Sequence, residues 1–337
     1  MRAILQKAYG SVDDLQLGEI ARPEPAEDEV LVRVRAASVH PDVWHVIAGR
    51  PAVIRLMGSG VRRPHQQVPG TDLAGVVESV GGAVTRFRPG DEVFGETVRG
   101  FQWRNGGAFA EYATAPEEAL WLKPSGASFE EAAAVPTAGL IALNNLPRRR
   151  VAPGSRVLVN GAAGGVGAFA LQLAKAYGAH VTGVDHASKL HLVGSLGADR
   201  VIDYRTEDFT RGSERWDVIF DVPGNHSFRA IRRVLDAHGS YVLIGHDAFG
   251  AGGHRWLGSI PRLLGLVARS AVTPQLRGGS FAAPDKRELL GTLARLMEDG
   301  QLRVVLDRVY SLGEAAEAIR HLMSGQPLGR VVLRIDD

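Results

Sequence analysis

The 337-residue sequence contains no cysteine, which excludes disulfide bonds, thiolate nucleophiles and every metal site built on sulfur ligands. Long apolar runs are also missing: no stretch of about 18 apolar residues occurs, so no transmembrane helix is predicted. The opening residues, MRAILQKAYG, lack the apolar region and the small-residue cleavage site of a signal peptide. We therefore expect a soluble, cytoplasmic protein with no membrane partner.

An excess of charge is missing as well. The 39 Lys and Arg residues nearly balance the 37 Asp and Glu residues, which leaves a formal net charge of +2. This small excess predicts no nucleic-acid partner. The length and the 45% content of hydrophobic residues are those of an ordinary globular protein with about two domains.

Two sequence patterns divide the chain. Residues 29–122 contain short alternating runs, such as EVLVRVRAAS, that are interrupted by glycine and proline and are typical of a β-rich domain. Ser128 and Glu131 then form a capping box that predicts the start of a helix. Apolar strands alternate with helical segments from there on, which predicts an α/β fold with a doubly wound parallel sheet. The predicted domains are residues 1–127 with 273–337, and residues 128–272.

The strongest local signal is RVLVNGAAGGVGAFALQLAKAYGAHVTGVD, residues 156–185, in which an apolar strand leads into a glycine-rich turn and then a helix. Ala162, Gly164 and Gly167 have the spacing of G-x-G-x-x-G, which lets backbone amides approach a pyrophosphate. Asp185 ends the second strand, where a carboxylate accepts hydrogen bonds from an adenosine ribose. The alternative is a glycine turn that serves packing alone. The predicted phosphate-binding residues of this Rossmann domain are Gly164, Gly165, Val166 and Gly167.

Several motifs, AAGGVG, SLGADRVIDY and PGTDLAGVVESVG, resemble the zinc-free quinone oxidoreductase group of the medium-chain dehydrogenase/reductase superfamily. The resemblance covers essentially the whole chain. It implies a GroES-like fold for the β-rich catalytic domain, an NAD(P)H cofactor, a small-molecule substrate, and a homodimer joined through strands near SYVLIG. The implied reaction is zinc-independent hydride transfer to a quinone or an α,β-unsaturated carbonyl. Oxidation of an alcohol and cofactor binding without catalysis are the alternatives.

The stretch SVHPDVWHVIAG contains His40, Asp42 and His45 and raises the question of a metal site. Zinc-dependent members of the superfamily carry ligands at the position of His40, in a Gly-His-Glu that here reads Gly70-Thr71-Asp72, and near Ala134. Only His40 of these could bind zinc in this chain, and one matched ligand cannot hold the ion. We therefore predict no metal.

The resemblance implies another role for the two histidines. Zinc-free relatives commonly carry asparagine at the position of His40 and tyrosine at that of His45, beside the nicotinamide. His40 and His45 are thus the candidate catalytic residues, since each could donate a hydrogen bond or a proton to the acceptor oxygen. The alternative is that either histidine only packs. The candidate apolar walls of the pocket are Trp44, Phe101, Trp103 and Phe281.

Residues of opposite charge point to different cofactors. Asp185 would repel a 2′-phosphate and favours NADH, whereas Lys189 and Tyr204 match positions where NADPH-using relatives contact that phosphate. We expect a modest preference for NADH. The remaining cofactor contacts implied by the resemblance are Thr137, Val222, Ile244, Gly245 and Arg330.

Overall fold

The computed structural model describes residues 1–100, 103–245, 256–258, 260–277 and 285–336. Its strands are β1 (Arg2–Leu5), β2 (Gln16–Glu19), β3 (Glu29–Val39), β4 (Asp72–Val80), β5 (Glu92–Glu96), β6 (Tyr112–Pro116), β7 (Leu120–Leu122), β8 (Arg156–Asn160), β9 (His180–Asp185), β10 (Arg200–Asp203), β11 (Trp216–Asp221), β12 (Leu235–Leu243), β13 (Leu306–Ser311) and β14 (Arg330–Arg334). Its α-helices are α1 (Pro41–Ala48), α2 (Phe129–Ala133), α3 (Pro136–Asn145), α4 (Gly165–Ala176), α5 (Leu190–Ser195), α6 (Phe228–Val234), α7 (Ile260–Ser270), α8 (Lys286–Glu298) and α9 (Ala315–Met323).

The chain divides into two compact units. The first contains residues 1–140, 283–300 and 304–337, and the second contains residues 141–282 and 301–303. The boundaries expected after residues 127 and 272, with the domain roles attached to them, stay predictions. The predicted α/β class with a parallel sheet is confirmed.

A seven-stranded sheet organises the first unit, with strand order β13-β14-β3-β4-β5-β7 and with β6 paired to β3. The central strand, β3, is long and apolar and alternates little, because much of both faces is buried. Val331–Arg334 of β14 pair with residues 36–39 of β3, so the last strand of the chain completes the first sheet. Helices α1 and α9 lie on the same apolar core, which includes Ile47 and Ile319.

A five-stranded sheet organises the second unit, in the order β10-β9-β8-β11-β12. All of its strand pairs are parallel. The chain order reverses between β8 and β11, and the carboxyl edge of a doubly wound sheet binds ligands at such a switch point. Leu158, Ile219 and Ile231 belong to the core of this unit.

Two helix starts follow from local sequence. The Ser128 hydroxyl accepts from the Glu131 amide at 3.1 Å while the Glu131 carboxylate accepts from the Ser128 amide at 2.8 Å, which confirms the predicted capping box. The helix ends after five residues, and α3 begins anew at Pro136, which is suited to a first helical position. Among the described residues, the helices are all too short or too polar to cross a bilayer.

Candidate functional site

The glycine turn stands at the carboxyl end of β8, where the second sheet reverses its order. Gly161 has a φ of +78°, which favours glycine, and Gly164 caps α4 at its N-terminus. A Cβ on Gly167 would lie 2.0 Å from the Gly161 carbonyl oxygen, so only glycine lets α4 approach the turn this closely. Helix amides in the first turn lack intrahelical acceptors, and those of Gly165 and Val166 are therefore suited to an anion.

Asp185 is tied directly to this turn. One carboxylate oxygen accepts from the Ala163 amide at 2.8 Å and the other from the His186 amide at 2.8 Å. These two bonds fix the direction of the carboxylate, which keeps further lone pairs for a ligand. The strand end that the sequence predicts for Asp185 is confirmed.

A second polar group at the switch point was missed by the sequence analysis. Asp221, fully buried at the end of β11, accepts from Asn160 Nδ2 at 2.9 Å, from the Gly224 amide at 3.0 Å and from the Tyr241 hydroxyl at 2.8 Å. Burial and the Asp221 charge both raise the pKa of Tyr241, so its hydroxyl stays protonated. The signal was present in DVIFDV, because a carboxylate within an apolar strand must find donors.

In the first unit, a buried polar cluster surrounds Asp72, which is fully buried at the start of β4. Its carboxylate accepts from the Thr137 amide at 3.0 Å and from the Thr137 hydroxyl at 2.5 Å. The Thr71 hydroxyl lies 3.2 Å from the same carboxylate. The proton of the Thr137 hydroxyl is thus already donated to Asp72. The predicted contact of Thr137 with the cofactor stays a prediction.

Glu96 and Lys286 extend this cluster as a buried ion pair. Lys286 Nζ lies 2.5 Å from Glu96 Oε2 and also donates to the Val98 carbonyl oxygen. The Thr137 hydroxyl lies 3.1 Å from Glu96 Oε1. Burial raises the pKa of Glu96 to about 7, and the Lys286 charge opposes the rise. Near neutral pH the Glu96 carboxyl therefore exchanges a proton, which most carboxyls do not.

His40 lies at the edge of the buried cluster. It is 2% exposed as the N-cap of α1, and its Nε2 lies 2.9 Å from the Thr71 hydroxyl and 3.7 Å from Asp72 Oδ1. Its Nδ1 is buried and has no hydrogen-bond partner within the described part of the chain. Asp42 Oδ2 is 4.0 Å from that nitrogen, too far for a hydrogen bond.

His45 has a different environment. Its Nδ1 lies 2.8 Å from the Arg50 carbonyl oxygen, and a carbonyl can only accept, so Nδ1 carries the proton. The ring lies 5.0 Å from that of Trp44 and 6.4 Å from that of Trp103, centroid to centroid. These two proposed wall residues therefore lie beside His45, whereas Phe101 and Phe281 lie outside the described residues.

Five other predicted cofactor residues follow strands of the second sheet. Lys189 ends the short 3-10 helix Ala187–Lys189 after β9, whereas Tyr204 directly follows β10 and is 51% exposed. Val222 directly follows β11, and Ile244 and Gly245 directly follow β12. Their placement at carboxyl strand ends is the geometry that dinucleotide folds use.

Arg330 is, besides Thr137, a predicted cofactor residue that lies in the first unit. It is 6% exposed, and its Nη2 donates to the Ser38 hydroxyl at 2.7 Å. Burial lowers the pKa of Arg330 and the nearby Asp72 charge opposes that effect. Its contact with the cofactor stays a prediction.

The metal question can be examined directly. Within the described ranges, no three His, Asp or Glu side chains converge as a metal-binding group. His40, Thr71 and Asp72, where the sequence resemblance implied the positions of zinc ligands, hydrogen-bond to one another or to Thr137. The absence of a metal stays a prediction.

Comparisons with known proteins confirm the predicted fold, with its GroES-like domain and its doubly wound sheet. Two family models match: the alcohol dehydrogenase GroES-like domain over residues 26–125 and the zinc-binding dehydrogenase over residues 196–333. The chain is similar to a 2-methylene-furan-3-one reductase of Solanum lycopersicum, with 33% identity over 99% of this chain and 79% of the relative. It is also similar to an NADPH-dependent alkenal/one oxidoreductase of Arabidopsis thaliana, with 32% identity and the same two coverages. The solved structure of a quinone oxidoreductase from Coxiella burnetii superposes with a TM-score of 0.83 and 28% identity, over 100% of this chain and 99% of the other.

Proposed function

Because this chain belongs to the quinone oxidoreductase-like group of the medium-chain dehydrogenase/reductase superfamily, we propose that it reduces a quinone or an α,β-unsaturated carbonyl compound with NAD(P)H, without zinc. The chain is an oxidoreductase of the enone and quinone reductase type. The observation that carries the proposal is the glycine turn at the switch point, where Gly167 permits α4 to direct its first amides at an anion.

The protein residues have distinct parts in this reaction. The amides of Gly165, Val166 and Gly167 bind the pyrophosphate, and Asp185 accepts from the ribose. A nicotinamide held by these residues would supply a hydride to the conjugated carbon of the acceptor. The acceptor then gains a proton, and negative charge that develops on its oxygen is stabilised by a hydrogen bond from His40 or His45. Thr137, Val222, Ile244, Gly245 and Arg330 complete the proposed cofactor contacts.

We propose a modest preference for NADH over NADPH. The support is the fixed direction of the Asp185 carboxylate. A 2′-phosphate on a ribose that hydrogen-bonds to Asp185 would be repelled by the negative charge of this carboxylate. Lys189 and Tyr204 favour NADPH instead, because the resemblance places them where they could contact the 2′-phosphate. The measurement is kcat/KM for both cofactors in wild type and in Asp185→Ser, with Lys189→Ala as the matched variant. A wild-type preference for NADPH that Asp185→Ser leaves unchanged would refute the proposal.

The reaction type is tested with a panel of acceptors. We expect oxidation of NADH with 1,4-benzoquinone or an enone, unchanged after dialysis against a chelator, and no oxidation of ethanol with NAD⁺. Turnover of alcohol that depends on added zinc would instead indicate alcohol dehydrogenase activity, and cofactor binding without turnover would indicate a non-catalytic protein.

The two histidines are tested by substitution with phenylalanine. We expect His40→Phe and His45→Phe to lower kcat with little effect on the affinity for NADH. His65→Phe is the control, because His65 is an exposed histidine of the same unit. Unchanged turnover in both variants would assign the two rings to packing.

A homodimer and a cytoplasmic location are further proposals. β12, which contains part of SYVLIG, forms one edge of the described five-stranded sheet and could pair with its copy. Light scattering after size-exclusion chromatography tests the dimer, and fractionation of cells tests the location.

A further inference from the structure

The position of the single Thr71 proton determines how His40 is protonated. Thr71 Oγ1 lies 2.9 Å from His40 Nε2 and 3.2 Å from Asp72 Oδ1. A hydroxyl has one proton and can donate it to only one of these atoms. If it donates to the Asp72 carboxylate, its lone pair accepts from His40, and His40 must carry its proton on Nε2.

The surroundings of the ring favour this arrangement. Asp72 is fully buried and lies 3.7 Å from Nε2, whereas Asp42 is partly exposed and lies 4.0 Å from Nδ1. The Asp42 carboxylate also accepts from Trp103 Nε1 at 3.1 Å. Asp72 is thus the carboxylate that lies nearer to the ring and is better shielded from water. Its negative charge favours the tautomer with the proton on Nε2.

Further residues hold the Asp72 carboxylate in place. Thr137 donates to it through both its amide and its hydroxyl, and the buried Arg330 charge acts on the same carboxylate. Burial and the neighbouring Asp72 charge raise the pKa of the adjoining Glu96 to about 7, so Glu96 is the carboxyl that takes up a proton near neutral pH. Lys286 holds Glu96 from the other side.

We propose that Thr71 and Asp72 are positioning residues that fix the tautomer of His40, with the proton on Nε2 and with Nδ1 as the atom presented to a ligand. A neutral His40 then accepts a hydrogen bond at Nδ1, and only its doubly protonated form donates there. The inference rests on the proposed function in one respect, namely that His40 serves the acceptor.

The test reads the tautomer directly, by ¹⁵N NMR of the imidazole nitrogens in the full-length protein. We expect the wild type to show His40 protonated at Nε2 alone at alkaline pH. Thr71→Val removes the accepting oxygen and should populate the Nδ1 tautomer, and Thr71→Ser should restore the wild-type signal. The control is Thr97→Val, because the Thr97 hydroxyl bonds to the Thr71 carbonyl oxygen, at 3.2 Å, and not to His40.

Turnover is measured alongside the spectra. Thr71→Val should lower kcat at least about tenfold, with little change in KM, and should move the pH profile of kcat. Asp72→Asn is the second variant, and Thr71→Val keeps the test decisive should Asp72→Asn fail to fold. A wild-type ring protonated at Nδ1, or a tautomer that Thr71→Val leaves unchanged, overturns the inference. If the tautomer shifts while Thr71→Val and His40→Phe both retain wild-type turnover, the tautomer assignment stands and the proposed role of His40 fails.

Discussion

Replacing Lys286 with methionine is predicted to destabilise the protein strongly at alkaline pH and little at acid pH. Lys286 Nζ lies 2.5 Å from Glu96 Oε2, and both side chains are buried. Methionine preserves most of the aliphatic stem but removes the positive charge. The Glu96 carboxylate would then remain fully buried, near the Asp72 charge, with its main cation gone.

The magnitude follows from burial and charge. Removing one member of a buried ion pair costs about 3–5 kcal/mol of unfolding free energy. In the wild type, the rise in the pKa of Glu96 from 4.5 to about 7 means that the folded protein binds a proton which the unfolded chain releases, so stability falls by about 3 kcal/mol as pH rises between those values. Loss of the cation raises that pKa further. The cost of Lys286→Met therefore appears at about pH 8 and shrinks at about pH 5.5, where the carboxyl is neutral in both proteins.

Urea unfolding followed by tryptophan fluorescence at the two pH values measures this difference. Lys123→Met is the matched control, because the Lys123 side chain is also only 6% exposed, yet its partner Glu92, at 3.1 Å, is 52% exposed. Water can solvate Glu92 when its lysine is lost, so the control should cost at most about 1 kcal/mol at either pH. The double variant with Glu96→Gln should regain most of the stability lost in Lys286→Met.

Equal destabilisation by Lys286→Met at both pH values would refute the reasoning. It would mean that packing of the lysine stem, and not the charge of Glu96, accounts for the loss.

Three other substitutions have defined outcomes. Gly167→Ala places a Cβ 2.0 Å from the Gly161 carbonyl oxygen, and we expect NADH affinity to fall at least about tenfold in a fluorescence titration. Tyr241→Phe removes the 2.8 Å hydrogen bond to Asp221, which should cost about 1–3 kcal/mol in chemical denaturation. Ser128→Ala removes a helix cap and should cost about 1 kcal/mol in the same assay. A wild-type result in any of these assays would contradict the corresponding contact.

Local features of the fold could be predicted from the sequence. The strand before the glycine turn, the capping box at Ser128 and the placement of Asp185 at a strand end each depend on residues close together in the chain. Apolar periodicity and turn chemistry act over such short spans, so they can be interpreted without a structure.

The buried polar cluster could not be predicted in the same way. Glu96 and Lys286 are separated by 190 positions, and nothing in PDKREL distinguishes a buried lysine from an exposed one. Asp72 and Glu96 did signal burial, since both stand at ends of apolar strands, but a strand pattern does not identify the donor that will satisfy a carboxylate. The Thr137 hydroxyl likewise has a direction that only the packed structure determines.

The pairing of β14 with β3 has a consequence for synthesis on the ribosome. The central strand of the first sheet gains one of its neighbours only when residues 331–334 have emerged, after residues 141–282 of the second unit are complete. Until then the nascent chain exposes an apolar strand edge of the kind that pairs with other chains. We therefore expect the second unit to fold first during translation, and chaperones to be needed mainly for the amino-terminal segment.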